Sequence, residues 1–524
     1  MRLSEVVFLT TLVLATGAIS ACGSAPASLN QLNYGLTLVP TNIDPQVGAS
    51  SELGIPLRSV YDTLVFRDAH GQFVPGLASR WEVSADGLTY TFFLRQDVRF
   101  QDGTPFNAEA VRINLERVLD PAIQSQKAAF MLGPLQSVEV IDPYTVRLHM
   151  KQPFAPLLDS LSQVYLGMAS PAALAKWGNA DYQFHQVGTG PFRFVEYLAG
   201  DHLTLERNPD YAWGPSTYQH RTAQVQQIVF RFYEDPASRV PALLSGEADV
   251  MGEVPPQDAA ALSKKPGYSL LPTSIPGQPL QFFLNVTAPP TDDLQVRQAL
   301  LEATDRGAIA NSLFGGSSPP AQGPLDLSTW GAFPTIPLSL YHPDGSAQLL
   351  DQAGWRLPPG GGLRNKNGVP LELEIVAPPW GFSPQAAEAL QAQWQSVGIA
   401  VHVTQVASIT ELSAAQAGGK YNLIADNFSD TDPDILRSFY SSGALDNLSK
   451  VQDAQLDRLL EQAASTLSAS AREALYAQAE KRIADLALVI PVRDYVNLNM
   501  TRSPVKDLHF DYAGWFPILI DVSK

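Results

Sequence analysis

The chain has 524 residues and a formal net charge of −17, with 45% hydrophobic, 17% charged and 9% aromatic residues. That acidity excludes nucleic acid as a natural partner, because such binding rests on a basic surface that releases counterions. The hydrophobic content excludes disorder, and the length is enough for two large lobes with cores of their own.

An apolar run, Val6 to Thr16, opens the chain behind Arg2 and leads into Ile19-Ser20-Ala21-Cys22. The run is too short to span a bilayer, which takes about 20 residues, and it matches the core of a secretory signal. Cys22 is the only cysteine, so it has no intramolecular disulfide partner. The segment resembles a bacterial lipobox, with residues 1–21 removed and Cys22 lipidated; the alternative is an ordinary signal with an incidental cysteine. Either reading exports the chain. Residues 22–30 then form a small, polar tether.

A strand is predicted at Leu32 to Val39 and another at Leu88 to Leu94, where Thr, Tyr and Phe are dense. The turn cluster Gln101 to Pro105 precedes Asn107, which reads as the N-cap of a helix with Val111, Leu115 and Val118 on one face. The Val187-Gly188-Thr189-Gly190-Pro191-Phe192 turn allows close backbone approach. Strands are expected at Gln226 to Tyr233 and Pro279 to Asn285.

Pro358 to Val369, with three consecutive glycines, is a flexible turn and not a phosphate cradle, since no Lys-Ser/Thr pair or helix follows. Next comes a strand–helix–strand unit. Leu371, Leu373 and Ile375 alternate with polar residues; Ser383 and Pro384 read as N-cap and first turn; Ala387, Leu390, Trp394 and Val397 make an apolar stripe ending at Gly398; Ile399, Val401 and Val403 form the second strand. His402, on the other face of that strand, is expected to meet solvent. Such a crossover joins parallel strands and implies an α/β fold.

Asp430, Asp432 and Asp434 imitate the start of a calcium-binding loop, but Ile435 stands at the required glycine and Ser441 at the bidentate glutamate. The cluster is therefore read as a solvated acidic turn, with Asp432 and Asp434 at the positive end of a following helix. Helical spacing then runs from Asp453 to Leu488. No two of the eight histidines sit at metal-ligand spacing, and no nucleophile elbow, P-loop or zincin motif occurs, so neither metal nor cofactor is expected.

Several collinear segments carry a resemblance. They are Asn42-Ile43-Asp44-Pro45, Val60 to Val65, Pro75 to Trp81, Asp86 to Phe92 with Leu94-Arg95, Phe100 to Phe106 and Val187 to Phe192. Arg207 to Tyr211, Ser245 to Val250, Val296 to Leu300, Asp305-Arg306 and Ala353-Gly354-Trp355 continue the series. Together they resemble family 5 of the extracellular solute-binding proteins of ABC transporters, which includes oligopeptide-, dipeptide- and nickel-binding members. The resemblance implies a two-lobed α/β periplasmic-binding-protein fold that closes like a Venus flytrap, with a subdomain inserted in the first lobe. The first lobe is expected at 31–280 plus 495–524, the insertion at about 76–184 and the second lobe at 281–494.

In peptide-binding members a Trp-x-x-Asp motif supplies the aspartate that pairs with the peptide ammonium. The matching segment here is Asn427-Phe428-Ser429-Asp430, so the resemblance assigns the anchor to Asp430 and an aromatic wall to Trp330. Asn427 replaces the tryptophan, and the spacing to Asp432-Pro433 is one residue shorter than in many members. The implied function is non-enzymatic capture of a peptide for a membrane permease, by a monomer held at the membrane through its lipid. The alternatives are a nickel chelate, haem or another small solute, and then a hydrolase using paired carboxylates.

Overall fold

The computed structural model describes residues 30–524 apart from 41, 49 and 126. The signal segment, Cys22 and all but the last residue of the tether lie outside the described residues. The α/β, two-lobed architecture is observed as two principal sheets over two separate hydrophobic cores.

The first lobe's seven-stranded sheet has the order Tyr268–Ser274, Val496–Arg502, Val250–Met251, Gln31–Leu36, Gln227–Phe232, His202–Arg207 and Phe192–Leu198. Gln31–Leu36 runs parallel to both Gln227–Phe232 and Val250–Met251, and the remaining pairs are antiparallel. Inserted between its elements is a four-stranded antiparallel sheet of Ala78–Val83, Thr89–Leu94, Thr145–Met150 and Leu135–Asp142. Thr89–Leu94 alternates half-buried and buried residues, as a strand covered on one face must. Helix Ala108–Leu119 packs here; Asn107 caps it, accepting from Ala110 N at 3.0 Å, while Val111, Leu115 and Val118 are buried.

The second lobe's sheet has the order Ala400–Gln405, Glu372–Ala377, Leu423–Asp426, Leu280–Leu284 and Val489–Arg493. Its first three strands are parallel, and Leu280–Leu284 is antiparallel to both neighbours. Leu371, Leu373 and Ile375 are buried while Glu372 and His402 are exposed, as their alternation requires. Trp394 is fully buried on the crossover helix Ser383–Gln395, and its indole N–H donates to Thr304 Oγ1 at 3.0 Å.

The chain crosses between the principal sheets at 275–279 and again at 494–495. In open α/β sheets ligands lie beyond the carboxyl ends of the parallel strands. Here those ends lead into Thr37 and Glu253 on the first lobe, and into 378–382 and 427–434 on the second.

Three local expectations are corrected. Ser383 is the first helical residue and not the N-cap: Phe382 holds that position at φ 66°, and no side chain caps the helix. The Asp453-to-Leu488 tract is two helices, Ala454–Ser465 and Ala469–Asp485, because Thr466 turns to an extended conformation. Asp432 and Asp434 are 4% and 3% exposed, not solvated, and the Asp434 side chain makes no capping bond. Each instead meets an arginine: Arg472 lies 2.7 Å from Asp432, and Arg437 lies 2.6 Å from Asp434.

Candidate functional site

The 427–430 loop is fastened to the first crossing segment. Gln278 N donates to Phe428 O at 2.7 Å, and Asp430 N donates to Pro276 O at 3.1 Å. Gly277, at φ 123°, permits this approach, since a Cβ there would stand 2.3 Å from Phe428 O. Asp430 is thus fastened to the segment that joins the lobes.

The first lobe meets this loop directly. Ser51 Oγ lies 2.8 Å from Ser429 Oγ, and Thr431 Oγ1 donates to Asp159 Oδ1 at 2.6 Å. Gln163 Nε2 bridges two carboxylates, donating to Asp159 at 2.9 Å and to Asp430 at 3.2 Å. The Arg437 guanidinium sits 4.8 Å from the Phe130 ring across the same gap. Between these elements lies a small cavity of about 10 Å³, lined by Phe130, Phe154, Gln163, Asp430 and Ile435 among others.

The charges in this cavity are unequal. Asp159 pairs with Arg67 at 2.6 Å, Asp432 with Arg472 and Asp434 with Arg437. Asp430 alone of the four has no ion-pair partner within 4 Å among the described residues. Burial and the neighbouring Asp159 charge push its carboxyl up to about 7, against a weaker pull from Lys127. A half-buried carboxyl without a counter-charge is a ready site for a ligand cation.

The other residues singled out from sequence are placed as follows. Ser429 faces Ser51 beside Asp430. Phe428 is 38% exposed and packs on Phe439 with ring centroids 4.6 Å apart. Asn427 turns the other way, its Oδ1 buried and unpaired, 3.2 Å from where a Cβ on Gly381 would stand. Trp330 is half-buried in the second lobe, with the Arg472 guanidinium 5.2 Å from its ring.

Sequence reasoning missed Asp159 and Gln163, which carried no motif, and a second group on the other side of Asn427. Arg493 is 4% exposed between the Phe314 and Tyr495 rings, each 4.2 Å from its guanidinium. Tyr495 OH donates to the Glu253 carboxylate of the first lobe, and Thr37 Oγ1 donates to the same carboxylate at 2.8 Å. Glu253 holds φ 48°, a strained conformation for a non-glycine residue. An arginine closing the apolar run Val489-Ile490-Pro491-Val492 was the available signal.

No group of three or more His, Cys, Asp or Glu among the described residues is arranged to hold a metal ion. No helix among them is long and apolar enough to cross a membrane.

Comparison with known proteins places these observations. The model of the bacterial extracellular solute-binding proteins, family 5 (middle), matches residues 72–448. The glutathione-binding protein GsiB of Escherichia coli is 34% identical over 315 residues, a match spanning 60% of this chain and only 60% of that relative's length. The di/tripeptide-binding protein 1 of Pseudomonas aeruginosa is 28% identical over 506 residues, 91% of each chain. Among solved structures, NikA from Brucella suis in complex with Fe(III)-EDTA superimposes with a TM-score of 0.84 at 27% identity, covering 94% of this chain and 99% of that one.

Proposed function

Since the chain belongs to the bacterial extracellular solute-binding proteins, family 5, we propose that it captures di- or oligopeptides in the interlobe cleft and delivers them to the transmembrane subunits of an ABC importer. The observation that carries this reading is Asp430, the one carboxyl of its cavity left without an arginine. A peptide α-ammonium supplies the missing charge, and opening of the lobes admits the rest of the peptide. Trp330 lends the loop an aromatic wall at its Arg472 side, and Phe428 and Ser429 line the approach to Asp430, while Asn427 of the same segment faces Gly381. The protein acts as a monomer and performs no catalysis.

In this reading the first lobe comprises 31–280 and 495–524, with the insertion at about 76–184, and the second comprises 281–494. Closure is a hinge motion in which ligand selects the state where both lobes make contacts. A ligand-stripped sample titrated with di- and tripeptides should melt at higher temperature as each peptide binds, because a ligand specific to the folded state stabilises it. A shift with a nickel chelate or haem and none with peptides would transfer the assignment to the second reading, a binding protein for those solutes.

The export reading completes the proposal: Cys22 carries the lipid that holds the protein at the outer face of the membrane. Cys22→Ala should move the protein from the membrane fraction to the soluble fraction. Unchanged membrane association would contradict the anchor.

A further inference from the structure

The lobes also touch at a place that belongs to neither chain crossing. In the second lobe, helix Ala454–Ser465 ends at a short turn, 466–468, ahead of helix Ala469–Asp485. The last carbonyls of a helix have no partners within it. Ala464 O finds one in the first lobe, accepting from Ala155 N at 2.8 Å. Beside it, Gln152 Nε2 donates to the Glu461 carboxylate. Leu467 lies over the turn at Gly87, where a Cβ would stand 2.9 Å from Leu467 Cδ1 and 3.1 Å from Pro153 Cβ.

The donor side is held by the inserted four-stranded sheet. Residues 151–155 follow its strand Thr145–Met150, and Gly87 lies between Ala78–Val83 and Thr89–Leu94. Lys151 N donates to Pro134 O at 2.8 Å, and Tyr90 OH donates to Phe154 O at 2.9 Å. Phe154 also lines the Asp430 cavity, with the Arg437 guanidinium 5.7 Å from its ring. The contact therefore continues the wall of that cavity outward, from Arg437 to Leu467. Gln152 and Glu461 are 309 positions apart, so only the folding of one lobe against the other joins them. The net worth of one backbone bond, one exposed polar pair and one half-covered leucine is modest. It can tip an equilibrium between open and closed lobes without freezing it.

We propose that Gly87 and 152–155 of the inserted sheet form a clasp on 461–467, and that this clasp sets how long a captured ligand stays in the cleft. It touches no ligand. It holds shut the wall beside Asp430, which must part before the ammonium end can leave. Gln152, Ala155, Ala464 and Leu467 are thus positioning residues for capture. The clasp deepens the peptide reading and rests on it for the choice of probe.

The test measures release of radiolabelled trialanine from wild type, from Gln152→Glu and from a double-cysteine variant. In Gln152→Glu two carboxylates face each other across the contact, and release should be about 3-fold faster or more. Adding Glu461→Gln should restore the wild-type rate. Both side chains are exposed, so the ligand-free variants should melt as wild type does. One N–H···O=C bond keeps its two Cα atoms roughly 5–6 Å apart, a separation that a disulfide spans. Ala155→Cys with Ala464→Cys, made in Cys22→Ala so that no other thiol competes, should therefore bridge on oxidation. The bridged form should release peptide about 100-fold more slowly or beyond, because release waits on opening, and reduction should undo this. Equal release by wild type and Gln152→Glu overturns the clasp, as does equal release by the bridged and reduced forms. A marked fall in the melting temperature of Gln152→Glu overturns it too, by making the contact part of the fold. If no bridge forms, the Gln152→Glu comparison decides alone. If trialanine does not bind wild type, the peptide reading falls. The clasp is then decided by X-ray scattering of the ligand-free double-cysteine variant, whose bridged form must be more compact than its reduced form.

Discussion

Asp430→Asn should weaken a peptide with a free amino terminus by about 2 kcal/mol or more, because a desolvated ammonium loses its only counter-charge. The surrounding pairs make this specific. Asp159, Asp432 and Asp434 each already serve an arginine and stay engaged when the ligand leaves. The pH dependence has a definite sign. The Asp430 carboxyl is held up to about 7 by burial and by Asp159, so at pH 5.5 it is protonated and cannot pair with an ammonium. Affinity for the free amine should rise as pH rises through about 7 and level off above it. An N-acetylated peptide, and the Asn variant with either peptide, should show no such rise. Equal calorimetric affinity of wild type and variant would remove Asp430 from the site.

The second large effect is on stability. Gly188→Ala should destabilise the protein by about 3 kcal/mol or more, at the upper end of what overpacking costs. An ideal Cβ at Gly188 would stand 2.0 Å from Val60 O, a backbone atom that cannot rotate away. The same turn is tied down by Gly190 N donating to Val60 O at 2.8 Å and Thr189 Oγ1 donating to Asp62 at 2.9 Å. Asp62 also accepts from Tyr211 OH at 3.0 Å and Trp213 Nε1 at 3.1 Å, so a shift of the turn disturbs a whole buried network. Urea denaturation of the ligand-free variant checks this; an unchanged midpoint would show that the 57–61 backbone yields easily.

That network explains why the fold was legible. The Val60-to-Val65, Val187-to-Phe192 and Arg207-to-Tyr211 motifs are far apart in sequence, yet they are one contact in space. Similarly, alternation at Leu371, Leu373 and Ile375 reports one-sided burial that the strand must have. The errors have two origins, a local backbone conformation at Phe382 and Thr466 and a distant partner for Asp432. Ser383-Pro384 reads as a cap, but Phe382 takes the left-handed conformation and leaves the Ser383 hydroxyl buried without a partner. The acidic loop reads as solvated because nothing local announces Arg472, forty positions downstream of Asp432, or the first-lobe surface that covers both. Of the candidate site, the resemblance pointed to Asp430, whereas Asp159 and Gln163 reach that loop only through contacts between distant parts of the chain.

The measurement that tests the central claim most directly is native mass spectrometry of the purified mature protein, before and after partial unfolding releases carried-over ligand. The account predicts a heterogeneous series of adducts with peptide masses, all lost on unfolding. A single adduct with a metal isotope pattern or the mass of haem would contradict it.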